Sequence, residues 1–227
     1  MQRHTLKYAL LAALFCLVLL PTASKAAQVT ISLDQVYSGS APAGPAPWAT
    51  LTFTDVAPNE VLLSLSGSGL VDPEFISQFS FDYNPAKLLS DLSFSLESGV
   101  AFTSVSASPD SEKAGPIHTF DVSLDYPTQP AGRFGADAIT QILISAPAAD
   151  NLSALDFDFS TLFDNLPSFA AAHVQGITGG EDSGWIEGTS ATVLQGSPVP
   201  EPASMLLMGI GAIGLLGRRF RKARLAV

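Results

Sequence analysis

The sequence predicts an all-β domain, an antiparallel β-sandwich or jelly roll, with a short apolar helix expected at each end of the chain. Three observations predict it. Apolar residues recur at every second position through most of the middle of the chain, the period of strands with one buried and one wet face. Gly, Pro and Asn punctuate these runs at 39–47, 58–59, 67–69, 84–85, 109–116, 127–135 and 179–184, where they favour turns. No long stretch of helical period competes. About ten short strands at this spacing suit two packed antiparallel sheets.

The N-terminal segment divides into three zones. Arg3, His4 and Lys7 are positive, residues 8–20 carry no charge and are apolar, and Pro21 ends the run. Thirteen apolar residues are too few to cross a hydrocarbon layer of roughly 30 Å, which takes about 20. Small Ser24 and Ala26 suit the −3 and −1 positions of a signal-peptidase site. Residues 1–26 are therefore read as a signal peptide, cut between Ala26 and Ala27. A cut after Ala27 would put Lys25 at −3, which suits the peptidase less well. No twin-Arg pair is present, which favours the general secretory route. Cys16, the one cysteine, lies in the segment removed, and Ala13-Leu14-Phe15 before it does not form a lipoprotein box. The mature domain is expected to have neither thiol nor disulfide.

Alternation marks the strands of the expected domain, residues 27–196. Val29, Ile31 and Leu33 alternate with polar neighbours, as do Leu51 and Phe53, Phe79, Phe81 and Tyr83, and Leu92, Phe94 and Leu96. Phe120, Val122 and Leu124 follow the same rule, then Leu155, Phe157 and Phe159. Further strands are expected over 60–66, 100–106, 139–145 and 185–193, and one short helix over 162–172. Residues 38–47, rich in Pro, Gly and Ala, read as a loop or a flexible insertion. Phe79, Phe81, Leu92, Phe94, Phe120, Val122, Phe157 and Phe159 are expected to share one core.

Charge narrows the partners. Between residues 27 and 201 there are 21 acidic side chains and only Lys87, Lys113 and Arg133 as cations, a formal charge of −18. Such a surface repels nucleic acid and anionic lipid, and acidity of this kind also keeps a secreted domain soluble. Cations, basic proteins and neutral glycans remain as partners.

Candidate chemistry is sparse. His173 precedes the acidic loop with Glu181 and Asp182, a combination that suits a metal or acid–base site. No His-x-x-x-His or EF-hand spacing supports it, and a structural histidine packed on Trp185 is the simpler expectation. Asp156 and Asp158, on a strand, would stand roughly 7 Å apart on one face, suiting Ca²⁺, a glycosidase pair or simply a wet face. Trp48 and Trp185, the two tryptophans, could stack on sugars, Trp48 being the one expected to be exposed; core positions are the ordinary alternative. No Gly-x-Ser-x-Gly elbow, phosphate loop or dinucleotide fingerprint is present. No catalytic residue, metal site or cofactor is assigned, Ca²⁺ at 156–158 or 179–184 being the one ion considered, and no enzyme activity is expected.

The C-terminal segment is the most specific feature. Pro198-Val199-Pro200-Glu201-Pro202 leads into fifteen uncharged residues, 203–217, and then into Arg218, Arg219, Arg221, Lys222 and Arg224. The prolines keep the entry extended, and Glu201 complements a helix N-terminus. The basic cluster suits the cytoplasmic face. Fifteen residues of helix reach roughly 22 Å, a better temporary stop than a permanent anchor. This tripartite pattern over residues 197–227 resembles the PEP-CTERM sorting signal, with Pro200, Glu201 and Pro202 as its motif and Arg218, Arg219, Arg221 and Lys222 as its basic stop. The resemblance implies recognition by exosortase and removal of the tail near Pro200–Pro202, after transient anchoring in the inner membrane of a Gram-negative bacterium. It implies a final place at the cell surface, outer membrane or extracellular matrix.

Two inner segments also carry resemblances. Phe79-Ser80-Phe81-Asp82-Tyr83-Asn84-Pro85-Ala86-Lys87-Leu88 resembles a strand-and-turn of cohesin-like sandwich modules, with Asn84 in place of the aspartate. Ala171-Ala172-His173-Val174-Gln175-Gly176-Ile177, followed by Ser183-Gly184-Trp185-Ile186, is similar to segments of other PEP-CTERM ectodomains. The expectation is an exported surface or matrix protein with a structural or adhesive role, processed by signal peptidase and exosortase and in contact with exopolysaccharide or matrix proteins. The alternative is a carbohydrate-binding module using Trp48, His173 and Trp185, stiffened by Ca²⁺.

Overall fold

The computed structural model describes residues 26–163 and 166–196. They form antiparallel β-structure with almost no helix. Fifteen strands follow in order: β1 (Ala27–Leu33), β2 (Gln35–Gly39), β3 (Ala49–Ala57), β4 (Glu60–Ser66), β5 (Phe75–Phe81), β6 (Ser93–Gly99), β7 (Ser104–Ala114), β8 (His118–Asp125), β9 (Phe134–Gly135), β10 (Ile139–Ser145), β11 (Thr161–Phe163), β12 (Leu166–Ser168), β13 (Ala170–Gln175), β14 (Ser183–Gly188) and β15 (Ala191–Gln195). The expected terminal helices fall outside the described residues.

Two large sheets carry the domain. The first has the order β15-β1-β3-β4-β10-β6, and the second runs β2-β14-β13-β5-β8-β7, with β9 paired to β5. β11 and β12 form a separate hairpin. Alternation holds best in the first sheet: Val29, Ile31 and Leu33 on β1 and Leu51 and Phe53 on β3 are fully buried, with half-buried polar residues between them. Asn59 turns β3 into β4 at a positive φ of 62°, a conformation that asparagine tolerates. Its side chain also accepts from Leu152 N at 3.0 Å, so this turn holds a distant loop as well.

One apolar cluster draws on both sheets. At its centre Phe53 of β3 meets Phe81 of β5 edge to face at 5.2 Å and stacks on Phe157 at 4.2 Å with 5° between the planes. Phe79, Tyr126 and Phe134 make a second aromatic knot, with centroids 5.1 to 5.9 Å apart. Burying each such ring contributes roughly 1.5–3 kcal/mol.

Several expectations are corrected. Residues 155–160 are not a strand. Ala154–Phe157 is a short 3₁₀ turn with a capping box, in which Ser153 accepts from the turn and the Asp156 side chain accepts from Ser153 N at 2.9 Å. The Ser-x-x-Asp spacing that makes the box overrode the alternation, leaving Phe157 buried and Phe159 only half-buried. The helix expected over 162–172 is the β11–β12 hairpin followed by β13, a strand between β14 and β5. Ala170, Ala171 and Ala172 are all fully buried; their small size suits a strand packed on both faces, and tertiary context outweighs their helical propensity. The turn expected over 109–116 is largely strand, because β7 runs on to Ala114 past an irregularity between Ala107 and Glu112. Leu92 and Phe94, near or on the edge strand β6, pack against the core as expected but stay half-buried, and Leu96 is exposed. Phe120 belongs to a separate small cluster.

Phe157 joins the 3₁₀ turn to the core through Phe53, Phe81 and Tyr83, so Phe157→Ala is expected to cost about 3–5 kcal/mol in urea unfolding followed by circular dichroism. A loss below about 1 kcal/mol would contradict this packing.

Candidate functional site

Trp48 is corrected first. It begins the hydrogen-bonded path into β3 and is only 9% exposed. Its amide donates to Leu33 O at 3.0 Å and its carbonyl accepts from Gly69 N. The indole Nε1 donates to Gly44 O at 2.7 Å, so the Pro- and Gly-rich loop folds back and satisfies the ring. Glu74, 2% exposed, pins that loop by accepting from Ala43 N at 2.7 Å and Val71 N at 3.0 Å. An indole bonded and covered in this way has no face to offer a sugar.

His173 and Trp185 do meet. They are cross-strand partners on β13 and β14, and their rings stack at 4.6 Å with 12° between the planes. Ser77 Oγ lies 3.0 Å from His173 Nδ1, and Gln175 Nε2 donates to Ser77 Oγ at 3.2 Å. Burial pulls the His173 pKa below the ordinary value, favouring the neutral ring. Glu181 and Asp182 are exposed, and their backbones bond elsewhere: Glu181 N donates to Ser40 Oγ, while Asp182 O accepts from Gly176 N.

The same face of the second sheet continues as a small second core. Ala114, Phe120 and Ala171 are buried there, with Tyr37 and Trp185 packed on them. Tyr37 Oη donates to Ala114 O at 3.0 Å and the ring meets His118 edge-on at 4.5 Å. His118 Nε2 is 3.1 Å from Glu187 Oε2, and both side chains are largely buried. Burial lowers the His118 pKa against the opposing pull of Glu187. Gly115, at φ +65°, approaches the indole of Trp185 so closely that a Cβ there would lie 3.1–3.2 Å from Cδ1, Cγ and Nε1 alike. Equal distances to three adjacent ring atoms place it over the ring's face. Trp185 is thus covered by its own fold.

The paired carboxylates do not form a pair. Asp156 accepts from Asn84 Nδ2 at 2.8 Å and from the Lys87 ammonium, and Lys87 also donates to Asn151 O at 2.9 Å. The cation at Asp156 is a lysine. Asp158 follows the 3₁₀ turn, off any strand, and burial raises its pKa. Among the described residues no group of three or more His, Cys, Asp or Glu is placed to hold a metal ion.

Sequence reasoning missed Asp82. It follows β5 and is 5% exposed, and among the described residues no hydrogen bond of ordinary geometry reaches either carboxylate oxygen. Burial first, then the charges of Asp121 and Asp110, push its pKa up to about 8, although the Thr161 and Asp121 amides pull the other way. Asp121 itself accepts from Tyr83 N at 3.0 Å and Asp110 N at 2.9 Å, which brings the carboxylates together. Alternation marked Asp82 as the wet side of a strand; only the meeting of β5, β8 and β7 made it buried.

Gly196 N donates to Ala26 O at 2.9 Å, and Ala27 pairs with Gln195. The first and last described residues therefore lie side by side at one end of the β1–β15 pair. Beyond Gly196, residues 198–222 match the family described as the PEP-CTERM protein-sorting motif. The chain carries that sorting motif. The matched span takes in Pro200, Glu201 and Pro202 and the basic Arg218, Arg219, Arg221 and Lys222, all outside the described residues. The PEP-CTERM motif marks an exported protein of Gram-negative type, sorted to the cell surface and processed by exosortase. No curated protein and no solved structure matches the chain significantly. No helix among the described residues is long and apolar enough to cross a membrane.

Asp82 gives a pH prediction. Its pKa is 3.8 when unperturbed and about 8 in the fold; the protonated form therefore favours the folded state. This contribution is complete below about pH 4 and disappears as the pH rises through 8. Asp82→Asn is expected to be more stable than the parent at pH 8 and to flatten the decline between pH 5 and 8 in urea melts. Parallel curves for the two proteins would show that Asp82 ionises normally.

Proposed function

We propose that the domain is a non-catalytic surface or matrix protein, structural or adhesive, that contacts exopolysaccharide or neighbouring matrix proteins once exosortase has processed its tail. The observation that carries this reading is the sorting motif over residues 198–222, which by resemblance belongs to proteins associated with extracellular polysaccharide and biofilm. The interior chemistry supports a structural role. Side chains nearest to a catalytic arrangement are committed to the fold: Asp156 to Lys87 and the capping box, His173 to Ser77 and Trp185, and His118 to Glu187. A formal charge of −18 between residues 27 and 201 favours soluble contact with neutral glycans or basic proteins over anionic surfaces. A dedicated glycan pocket is the weaker reading, because Trp48 is buried and Trp185 is covered by His173 and Gly115.

Intact-mass analysis of protein recovered from the cell surface is expected to show that residues 205–227 are gone, with the new end near Pro200–Pro202. Retention of those residues in the bulk of the protein would make the tail a simple anchor. Gene deletion should reduce matrix-retained polysaccharide while leaving polysaccharide synthesis intact. Unchanged retention would remove the matrix role.

A further inference from the structure

The amide nitrogen of Ala27 donates to Asp55 Oδ2 at 2.9 Å. Asp55 lies on β3 beside Thr54, the register partner of Gln28, so the carboxylate stands where β1 begins. It also accepts from Ala154 N at 2.6 Å through Oδ1 and from Ser153 Oγ at 3.3 Å through Oδ2. All three donors are neutral. Ala27 is 5% exposed and is held from the other side by its pairing with Gln195, while Gln28 Nε2 donates to Thr54 Oγ1 at 3.1 Å. The pairing with Gln195 and the Gln28–Thr54 bond both lie on the Ala27 side of the cut and hold its nitrogen at the carboxylate.

We propose that Asp55 receives the N-terminal ammonium of the mature protein, so that signal cleavage after Ala26 installs an ion pair that the precursor lacks. This rests on the signal-peptide reading of residues 1–26. Hydrolysis breaks the C–N bond between Ala26 and Ala27. Water gives its hydroxyl to the Ala26 carbonyl carbon and a proton to the Ala27 nitrogen. The amine takes up a further proton at neutral pH, its pKa being about 7.7–8.0 when unperturbed. The neutral donor at 2.9 Å becomes a cation in the same place, so a bond charged only on its acceptor becomes one charged on both sides, an ion pair. The departing segment removes Ala26 O, the acceptor for Gly196 N, so the new bond also offsets a lost one. A cut one residue later would remove the Ala27 nitrogen from the mature chain and leave Asp55 with its two neutral partners at the 3₁₀ turn. Of the two cuts that the sequence allows, only the one after Ala26 gives Asp55 an ammonium to meet.

The test uses the secreted, fully processed chain. N-terminal sequencing is expected to read Ala27 first. A second chain carries Gly-Ser-Gly inserted after Ala26, which moves the ammonium roughly 10 Å along the chain and returns Ala27 to an amide. It is expected to melt about 2–4 °C lower. Asp55→Asn placed in both chains should shrink that difference; the insertion also returns a carbonyl for Gly196 N in either background, so the shrinkage itself reports the ion pair. If Asp55→Asn does not fold, the same shrinkage on raising the pH from about 7 to about 10, where the terminal amine loses its charge, decides instead. A first residue other than Ala27 overturns the cleavage reading. Ala27 as first residue, with the insertion changing the melting temperature equally in the parent and Asp55→Asn chains, or equally at the two pH values, overturns the ion pair alone.

Discussion

Backbone amides, rather than cations, hold the carboxylates that shape this domain. With 21 acidic side chains and three basic ones between residues 27 and 201, ion pairing can satisfy only a few. Asp55 takes the amides of Ala27 and Ala154, Glu74 those of Ala43 and Val71, Asp121 those of Tyr83 and Asp110, and Asp156 that of Ser153. Each ties an irregular segment to a strand or a turn. A carboxylate that accepts from two amides orders two segments at once, which suits a domain with no disulfide to do so. Asp82 is the exception, and burial beside two other carboxylates favours its protonated form.

The two sheets use their faces differently. The inner faces meet around Phe53, Phe81 and Phe157. The outer face of the second sheet carries its own patch, where Tyr37 and Trp185 pack with His118 and Phe120 of β8 and with Ala114 of β7. Gly115 permits this closure, because it takes a φ of +65° that suits glycine and a Cβ there would press on the indole at 3.1–3.2 Å. The aromatic rings of this face are thereby committed to the fold.

The expected cut after Ala26 and the sorting motif over residues 198–222 flank one structural detail. The described chain begins and ends at the β1–β15 pair, with Ala26 and Gly196 in contact. An exported domain that loses a segment at each end keeps its fold only if the new termini are already anchored. The cross-strand register anchors both ends, and Asp55 supplies the N-terminal side with an acceptor suited to a charge.

What the sequence by itself determined is whatever depends on local order and composition. The Pro-Glu-Pro motif, apolar run and basic cluster are contiguous, so the sorting motif was legible without a fold. The small Ser24 and Ala26 are contiguous too. The alternation of Val29, Ile31, Leu33, Leu51 and Phe53 marked strands because a sheet with one buried face imposes that period. Long-range contact decided the rest. Ser153 and Asp156 capped a turn where alternation suggested a strand, and the alanines at 170–172 formed a strand because a close-packed sheet needs small side chains. Trp48 was covered by a loop that a distant glutamate holds in place. The carboxylate that meets Ala27 lies 28 residues along the chain, and no local pattern relates the two: only the pairing of β1 with β3 brings them within bonding distance.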